Sequence, residues 1–264
     1  MLKVSGLTKS FGKVVILNDL SFEVKEGEFV FITGPSGSGK TTLMRLILRE
    51  LLPNKGGIFL DDVDVTKIPK KQVPNLRQHI GTVFQDYKIL PERTVRENID
   101  VAMAVVGIPS DEWDGRSRQV LKLTGIEDKI DMFPSQLAGG ELQRVAMARA
   151  LVINPKIILA DEPTGNLDWD TADKIMDLFE KINKEGKTIL MATHHQGIVD
   201  KMNKRVIGLV SNKVEKKPAV VKSTDEKIKK ETETAKPKKD EDSKRVVDKK
   251  EEKKEVKKKE EKDK

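Results

Sequence analysis

Phe29-Val30-Phe31-Ile32 is an unbroken apolar run, and Gly34-Pro35-Ser36-Gly37-Ser38-Gly39-Lys40-Thr41 follows it almost at once. The run is too short for a helix and fits a strand buried on both faces of a parallel sheet. The segment after it spaces two glycines four residues apart ahead of Lys and Thr, a pattern with a physical reason. Glycines let the backbone wrap closely and aim successive N–H groups at phosphate oxygens. A helix expected from Lys40 to about Leu51 would present its positive end to the same oxygens. Lys40 supplies a point charge and Thr41 a hydroxyl ligand for Mg²⁺, with Thr42 beside them in the phosphate-contacting stretch. A glycine-rich turn without such a role would need neither the strand before it nor the helix after it.

The surrounding pattern is α/β. Three further apolar runs read as buried strands: Ile157-Ile158-Leu159-Ala160, Ile189-Leu190-Met191-Ala192 and Val206-Ile207-Gly208-Leu209-Val210. Helical periodicity separates them. The first 30 or so residues instead alternate, with Leu2, Val4, Val14, Ile16, Leu20, Phe22 and Val24 among polar neighbours, which predicts small antiparallel strands. From about residue 86 to 139 helical patterning dominates, so a helical insertion is expected there. Ser110 before Asp111 and Glu112 reads as the N-cap of one of its helices, and Gly125 as its end.

Asp161 and Glu162 emerge from the carboxyl end of the Ile157 to Ala160 run, where open α/β sheets place their ligands. Asp161 is suited to hold Mg²⁺ through water. Glu162 is suited to orient and activate an attacking water, because phosphoryl transfer depends on positioning and charge stabilisation. Acidic residues at strand ends are usually just solvated, and it is the phosphate-loop pattern that gives this pair its meaning. Leu137-Ala138-Gly139-Gly140-Glu141 opens a helix whose Leu142, Val145, Ala146 and Ala150 share an apolar face. Two glycines at a helix start make either an anion site or a close packing contact.

At this third element the chain resembles the ATP-binding cassette (ABC) ATPases, whose signature usually reads LSGGQ or LSGGE. The resemblance runs from Met1 to about Glu215 with every motif in order. It implies the phosphate-loop ABC fold, a mixed sheet core with a small antiparallel subdomain and a helical subdomain, and ATP with Mg²⁺ as bound species. It further implies that Phe11 stacks on adenine and that Gln85, in GTVFQD, touches the metal and links nucleotide to a membrane partner. His194, in ATHH, becomes the γ-phosphate sensor, and Asp168, closing Gly165-Asn166-Leu167-Asp168, belongs to the loop between two subunits' sites. Without the resemblance Phe11 would read as core, Gln85 as a surface amide and His194 as a satisfied histidine at a strand end.

In this family the signature glycines contact the ATP held by the other subunit. One cassette per chain therefore implies a twofold homodimer with ATP at its interface. Two residues depart from the pattern. Ala138 stands where Ser is usual, deleting a hydroxyl worth about 0.5 to 1.5 kcal/mol, which predicts slower hydrolysis or weaker closure. His195 stands where Asp commonly follows the switch histidine. FQDYKILPERTVRENIDVAMAVVG and ATHHQGIVDKMNKRVIGLV look like the cell-division branch, whose members act with an integral membrane protein of four spanning helices. DEPTGNLD is shared with lipoprotein-release and macrolide-export ATPases, which form the alternative. Either branch implies a cytoplasmic protein held peripherally on the inner face of the bacterial cell membrane.

Composition separates this cassette from the C-terminal residues. Of 264 residues 50 are Lys or Arg and 43 Asp or Glu, and residues 216–264 carry 20 of the basic and 14 of the acidic ones, hence +6 of the net +7. So few apolar groups stand among them that a disordered tail is expected after Glu215. Its mixed charge argues against a nucleic-acid partner, while Lys clusters near 236–239 and 257–259 give it the means to touch an anionic membrane surface. With no Cys there is no disulfide scaffold, thiol catalysis or Cys-ligated metal. No apolar run approaches the roughly 18 residues of a spanning helix.

Overall fold

The computed structural model describes residues 1–210 and 213–217. Two sheets organise them. A four-stranded antiparallel sheet has the order β2-β1-β4-β5, built from β1 (Leu2–Phe11), β2 (Val14–Val24), β4 (Lys55–Leu60) and β5 (Val63–Asp64). A six-stranded sheet has the order β10-β9-β3-β8-β7-β6. Its members are β3 (Phe29–Thr33), β6 (Ile80–Phe84), β7 (Ile157–Asp161), β8 (Thr188–Ala192), β9 (Arg205–Val210) and β10 (Lys213–Lys217). All its pairings are parallel except β9 with β10. The α/β class with a small antiparallel sheet holds. The expected boundary at Glu215 falls inside β10, and the tail beyond Lys217 lies outside the described residues.

The four apolar runs are strands because both faces of the large sheet are covered. Phe29, Phe31, Ile158, Ala160, Ile189 and Met191 point into one core, with α3 (Val95–Val106), α5 (Gly139–Leu151) and α6 (Trp169–Lys184). Val30, Ile32, Ile157, Leu159, Leu190 and Ala192 point into the other, with β1, β2 and α1 (Lys40–Ile47). With successive side chains pointing to opposite faces, two covered faces demand an unbroken apolar run.

Helix α1 stops at Ile47, short of the Leu51 expected. Arg49 takes a left-handed conformation (φ 57), and the N–H groups of Glu50 and Leu51 turn back onto the Arg45 carbonyl at 2.9 and 3.2 Å. The Arg49 side chain donates to the Val65 and Thr66 carbonyls, which fixes that exit. Between β6 and β7 stand α3, α4 (Trp113–Thr124) and α5. Thr94 and Glu97 cap α3 reciprocally, Thr94 Oγ1 accepting from the Glu97 N–H and Glu97 Oε2 from the Thr94 N–H. Gly125 ends α4 with φ 71, as expected. Ser110 does not cap it: Ser110–Glu112 form a separate 3₁₀ turn with no side-chain cap, and Pro109 before them sets that turn. Two short helices complete the elements, α2 (Val73–Arg77) and α7 (Gln196–Met202).

Candidate active site

Strand register builds the site. Phe84 of β6 pairs with Asp161 of β7, Asp161 with Ala192 of β8, and Ala192 with Ile32 of β3. Four parallel strands thus end in one row. Gln85, Glu162, the Thr193-His194 pair and the loop from Gly34 follow from neighbouring strand tips. Two backbone bonds tighten the row, Glu162 N–H to Ala192 O at 2.9 Å and Thr193 N–H to Ile32 O at 3.0 Å.

The loop from Gly34 to Gly39 runs directly from β3 into α1, the strand-loop-helix order expected. Pro35, Ser36 and Gly37 form its exposed crest, whereas Ser38, Gly39 and Lys40 are buried. Gly39 admits no side chain, since its φ is +100 and a Cβ would lie 2.7 Å from Leu17 Cδ2. β2 therefore packs directly against the loop. Phe11, at the hairpin tip where β1 turns into β2, is 48% exposed with the Lys9 ammonium 5.0 Å from its ring centroid. An aromatic face is thus held at the surface on the strand pair that supports the loop, not in the core.

Lys40, only 8% exposed, sends its Nζ to the carbonyls of Gly34 (2.8 Å) and Pro35 (3.3 Å) and lies 3.5 Å from Glu162 Oε1. Glu162 is left-handed (φ 49), a strained conformation for a non-glycine residue. Its other oxygen, Oε2, accepts from the His194 N–H at 3.2 Å and lies 2.9 Å from His194 Nδ1. One carboxylate so joins the loop lysine to the histidine after β8. Asp161 sits beside it near Thr41, and its Oδ1 is buried with no hydrogen-bond partner among the described residues. Burial holds the Asp161 carboxyl above the usual carboxylate range, with the Glu162 charge adding to the effect and Thr41 and Lys40 opposing it. Ser38 Oγ is a second buried oxygen without a partner among the described residues. Thr42 is half-buried in the first turn of α1.

The structure gathers some expected residues differently. Gln85 is engaged with Asn166: its Nε2 donates to Asn166 Oδ1 at 3.1 Å, and Asn166 Nδ2 donates to the Gln85 carbonyl at 2.9 Å. Asp168 caps α6, accepting from the Thr171 N–H at 3.0 Å, and that hydrogen bond holds its carboxyl below the usual range. Ala138 is exposed and, lacking a side-chain oxygen, leaves the N-terminus of α5 without a side-chain cap. Glu141 accepts from the Ala138 N–H at 2.8 Å.

Both glycines that follow are in close packing contacts. A Cβ on Gly140 would lie 2.4 Å from Thr171 Cγ2, and one on Gly139 would lie 3.2 Å from the Tyr87 hydroxyl and 3.4 Å from Leu167 Cδ2. Tyr87 was not legible in sequence. It and Lys88 are both left-handed (φ 57 and 51), held by Arg149, whose guanidinium donates to both their carbonyls.

Loop, acidic strand end, histidine and glycine-started helix together define a nucleoside-triphosphate-binding domain of the phosphate-loop class. The family model described as ABC transporter matches residues 17–165. The cell division ATP-binding protein FtsE of Streptococcus pneumoniae is 49% identical over 198 residues, 75% of this chain and 86% of that one. FtsE of Escherichia coli is 40% identical over 79% of this chain and 95% of its own. Among solved structures, the dimeric ABC transporter cassette MJ0796 superposes with a TM-score of 0.74 at 36% identity, covering 83% of this chain and 99% of that one. A post-hydrolysis state of the same cassette, bound to ADP and Pi, matches equally well in TM-score at 35% identity. This chain belongs to the ABC transporter ATP-binding family. It binds ATP, is an ATPase, and is an ABC ATPase subunit similar to FtsE.

Proposed function

We propose that two copies of this chain close around two ATP molecules and that hydrolysis reopens them, driving an FtsX-like integral membrane partner that controls cell-wall hydrolases during division. The carrying observation is the Lys40–Glu162–His194 cluster at aligned strand ends, in a chain so similar to proteins named FtsE. In this reading Phe11 stacks on adenine, and the backbone from Gly34 to Gly39 with Lys40, Thr41 and Thr42 holds the phosphates. Glu162 is the general base, oriented by His194, which also senses the γ-phosphate. Ala138, Gly139 and Gly140 meet the ATP held by the partner copy, with Asp168 in the loop between the two sites. The similarity to MJ0796, a cassette solved as a dimer, supports the twofold arrangement.

The residues present fit Mg²⁺: Asp161 Oδ1 is a buried acceptor without a partner among the described residues, and Thr41 adds a hydroxyl beside it. Bound there, the ion would neutralise charge on the transferred phosphate. Gln85 donates to Asn166 through Nε2, which leaves its Oε1 to join these ligands, so one side chain would tie the metal to the loop 165–168. Among the described residues no helix is long and apolar enough to cross a membrane, so a membrane partner would supply the spanning part.

Affinity capture of tagged Glu162→Gln from native membranes with ATP and Mg²⁺ tests this reading. Recovery of a partner with four spanning helices is expected. A larger permease with a solute-binding protein would move the chain to the lipoprotein-release or macrolide-export type.

A further inference from the structure

Beside the Glu162–His194 contact lies an aromatic cluster with no part in the proposed hydrolysis. His195 directly precedes α7, and its ring centroid is 5.2 Å from that of His194 at 34°. On another side the Trp169 indole meets it edge-on, 5.0 Å between centroids at 85°. Trp169 comes from a different segment: it is the first residue of α6, immediately after Asp168. Its far edge reaches the start of α7, where a Cβ on Gly197 would lie 3.5 Å from Trp169 Cη2. One side chain therefore covers both the link between β8 and α7 and the first turn of α7.

Such an indole is an unusual use of surface. Trp169 is 62% exposed, and the first position of a helix makes no demand for a large aromatic. The His194 side chain is itself 58% exposed, on a link of three residues, 193–195, between β8 and α7. An exposed imidazole on so short a link has several staggered rotamers open to it. The one observed brings Nδ1 to 2.9 Å from Glu162 Oε2. The His195 ring packs beside that of His194, and the edge-to-face contact with Trp169 holds the His195 ring in place.

We propose that Trp169, acting through His195, is a positioning residue that keeps His194 against Glu162 and ties this contact to the loop 165–168 from which α6 begins. The proposal rests on the catalytic roles proposed for Glu162 and His194. An aromatic pair of this geometry preorganises the histidine by an amount that reads as about a three- to tenfold change in turnover. Nucleotide affinity stays with the loop from Gly34 to Thr41, which Trp169 does not touch.

The test is steady-state ATP turnover of the full chain with Trp169→Ala, Trp169→Phe, His194→Ala and the double variant Trp169→Ala/His194→Ala. Expected are a kcat for Trp169→Ala about three- to tenfold below the unaltered chain with KM within about twofold, and recovery to within about twofold in Trp169→Phe. The double variant should turn over no more slowly than His194→Ala alone, because a residue acting through His194 has nothing left to position. An unchanged kcat in Trp169→Ala, a joint loss of kcat and KM, or full additivity in the double variant would each overturn the proposal. If His194→Ala itself retains full kcat, the role of His194 falls. If His194→Ala is slow while Trp169→Ala is normal, the positioning role alone falls.

Discussion

Gly140→Ala separates the two reasons a helix can begin with glycines. The added Cβ would stand 2.4 Å from Thr171 Cγ2, whereas carbon atoms in contact prefer about 3.5 to 4.0 Å, so something must open by more than an ångström. Thr171 is not a flexible neighbour. It is β-branched and sits in the first turn of α6, with its N–H on Asp168. Overpacking of this kind costs about 1 to 3 kcal/mol, and the better helix propensity of Ala returns up to about 1 kcal/mol. A net loss of about 1 kcal/mol lowers the Tm of a domain this size by about 2 to 4 °C. Thermal unfolding without nucleotide measures it. Thr171→Ala in the same chain should abolish the loss, the double variant melting with Thr171→Ala alone. A Gly140→Ala chain as stable as the original, or a loss that Thr171→Ala leaves untouched, would refute the packing argument. If the double variant recovers its stability yet fails to dimerise with ATP, Gly140 also serves the nucleotide.

Three further outcomes are expected. Thr94→Ala breaks the reciprocal cap of α3 and should cost about 1 kcal/mol, seen as a fall in urea midpoint with m unchanged. Burial raises the Asp100 carboxyl above the usual range although Ser117 Oγ donates to it at 3.0 Å, so the folded chain holds that proton more tightly than the unfolded one. Stability contributed by Asp100 therefore grows as pH falls through its folded value and is lost as pH rises. Asp100→Asn should match or exceed the original Tm at pH 7 and lose that advantage near pH 4, and a deficit at pH 7 would contradict this. Chelation of divalent ions should stop ATP turnover while leaving the nucleotide-free Tm unchanged, because the described residues contain no group of three His, Cys, Asp or Glu able to hold a structural ion. A Tm drop on chelation would count against it.

Much of the core was legible because burial on both faces leaves an unmistakable trace. β3, β7, β8 and β9 are the four apolar runs, and the loop Gly34 to Thr41 follows the first of them. β6 left no such trace, since Gly81 and Thr82 interrupt Ile80-Gly81-Thr82-Val83-Phe84. Yet β6 sets where Gln85 stands, so one wall of the site was read only through the motif resemblance. The contacts between distant segments were not legible at all. Tyr87 against Gly139, Thr171 against Gly140 and Trp169 against His195 join residues far apart in the sequence. Spacing along a chain reports which face a residue occupies, not which loop will come to meet it. The Ser110 cap failed for a related reason: a local signature predicts a helix start, but Pro109 imposes a tighter turn first.

What the fold leaves unsatisfied is as informative as what it pairs. Lys40 and His194 both meet Glu162, so in the proposed reading an arriving phosphate would take Lys40 from two carbonyls and a carboxylate, an exchange of interactions and not a pure gain. Ser38 Oγ and Asp161 Oδ1 differ, because they are buried without partners among the described residues. A buried polar atom left unpaired costs about 1 to 3 kcal/mol. Held at these two positions, that cost is removed only by a ligand bringing a matching group: a donor or cation for the carboxylate, an anionic oxygen for the hydroxyl. A metal-bound phosphate brings both at once. On the proposed reading, the preference of the loop for such a ligand lies partly in these two oxygens, which lack partners among the described residues.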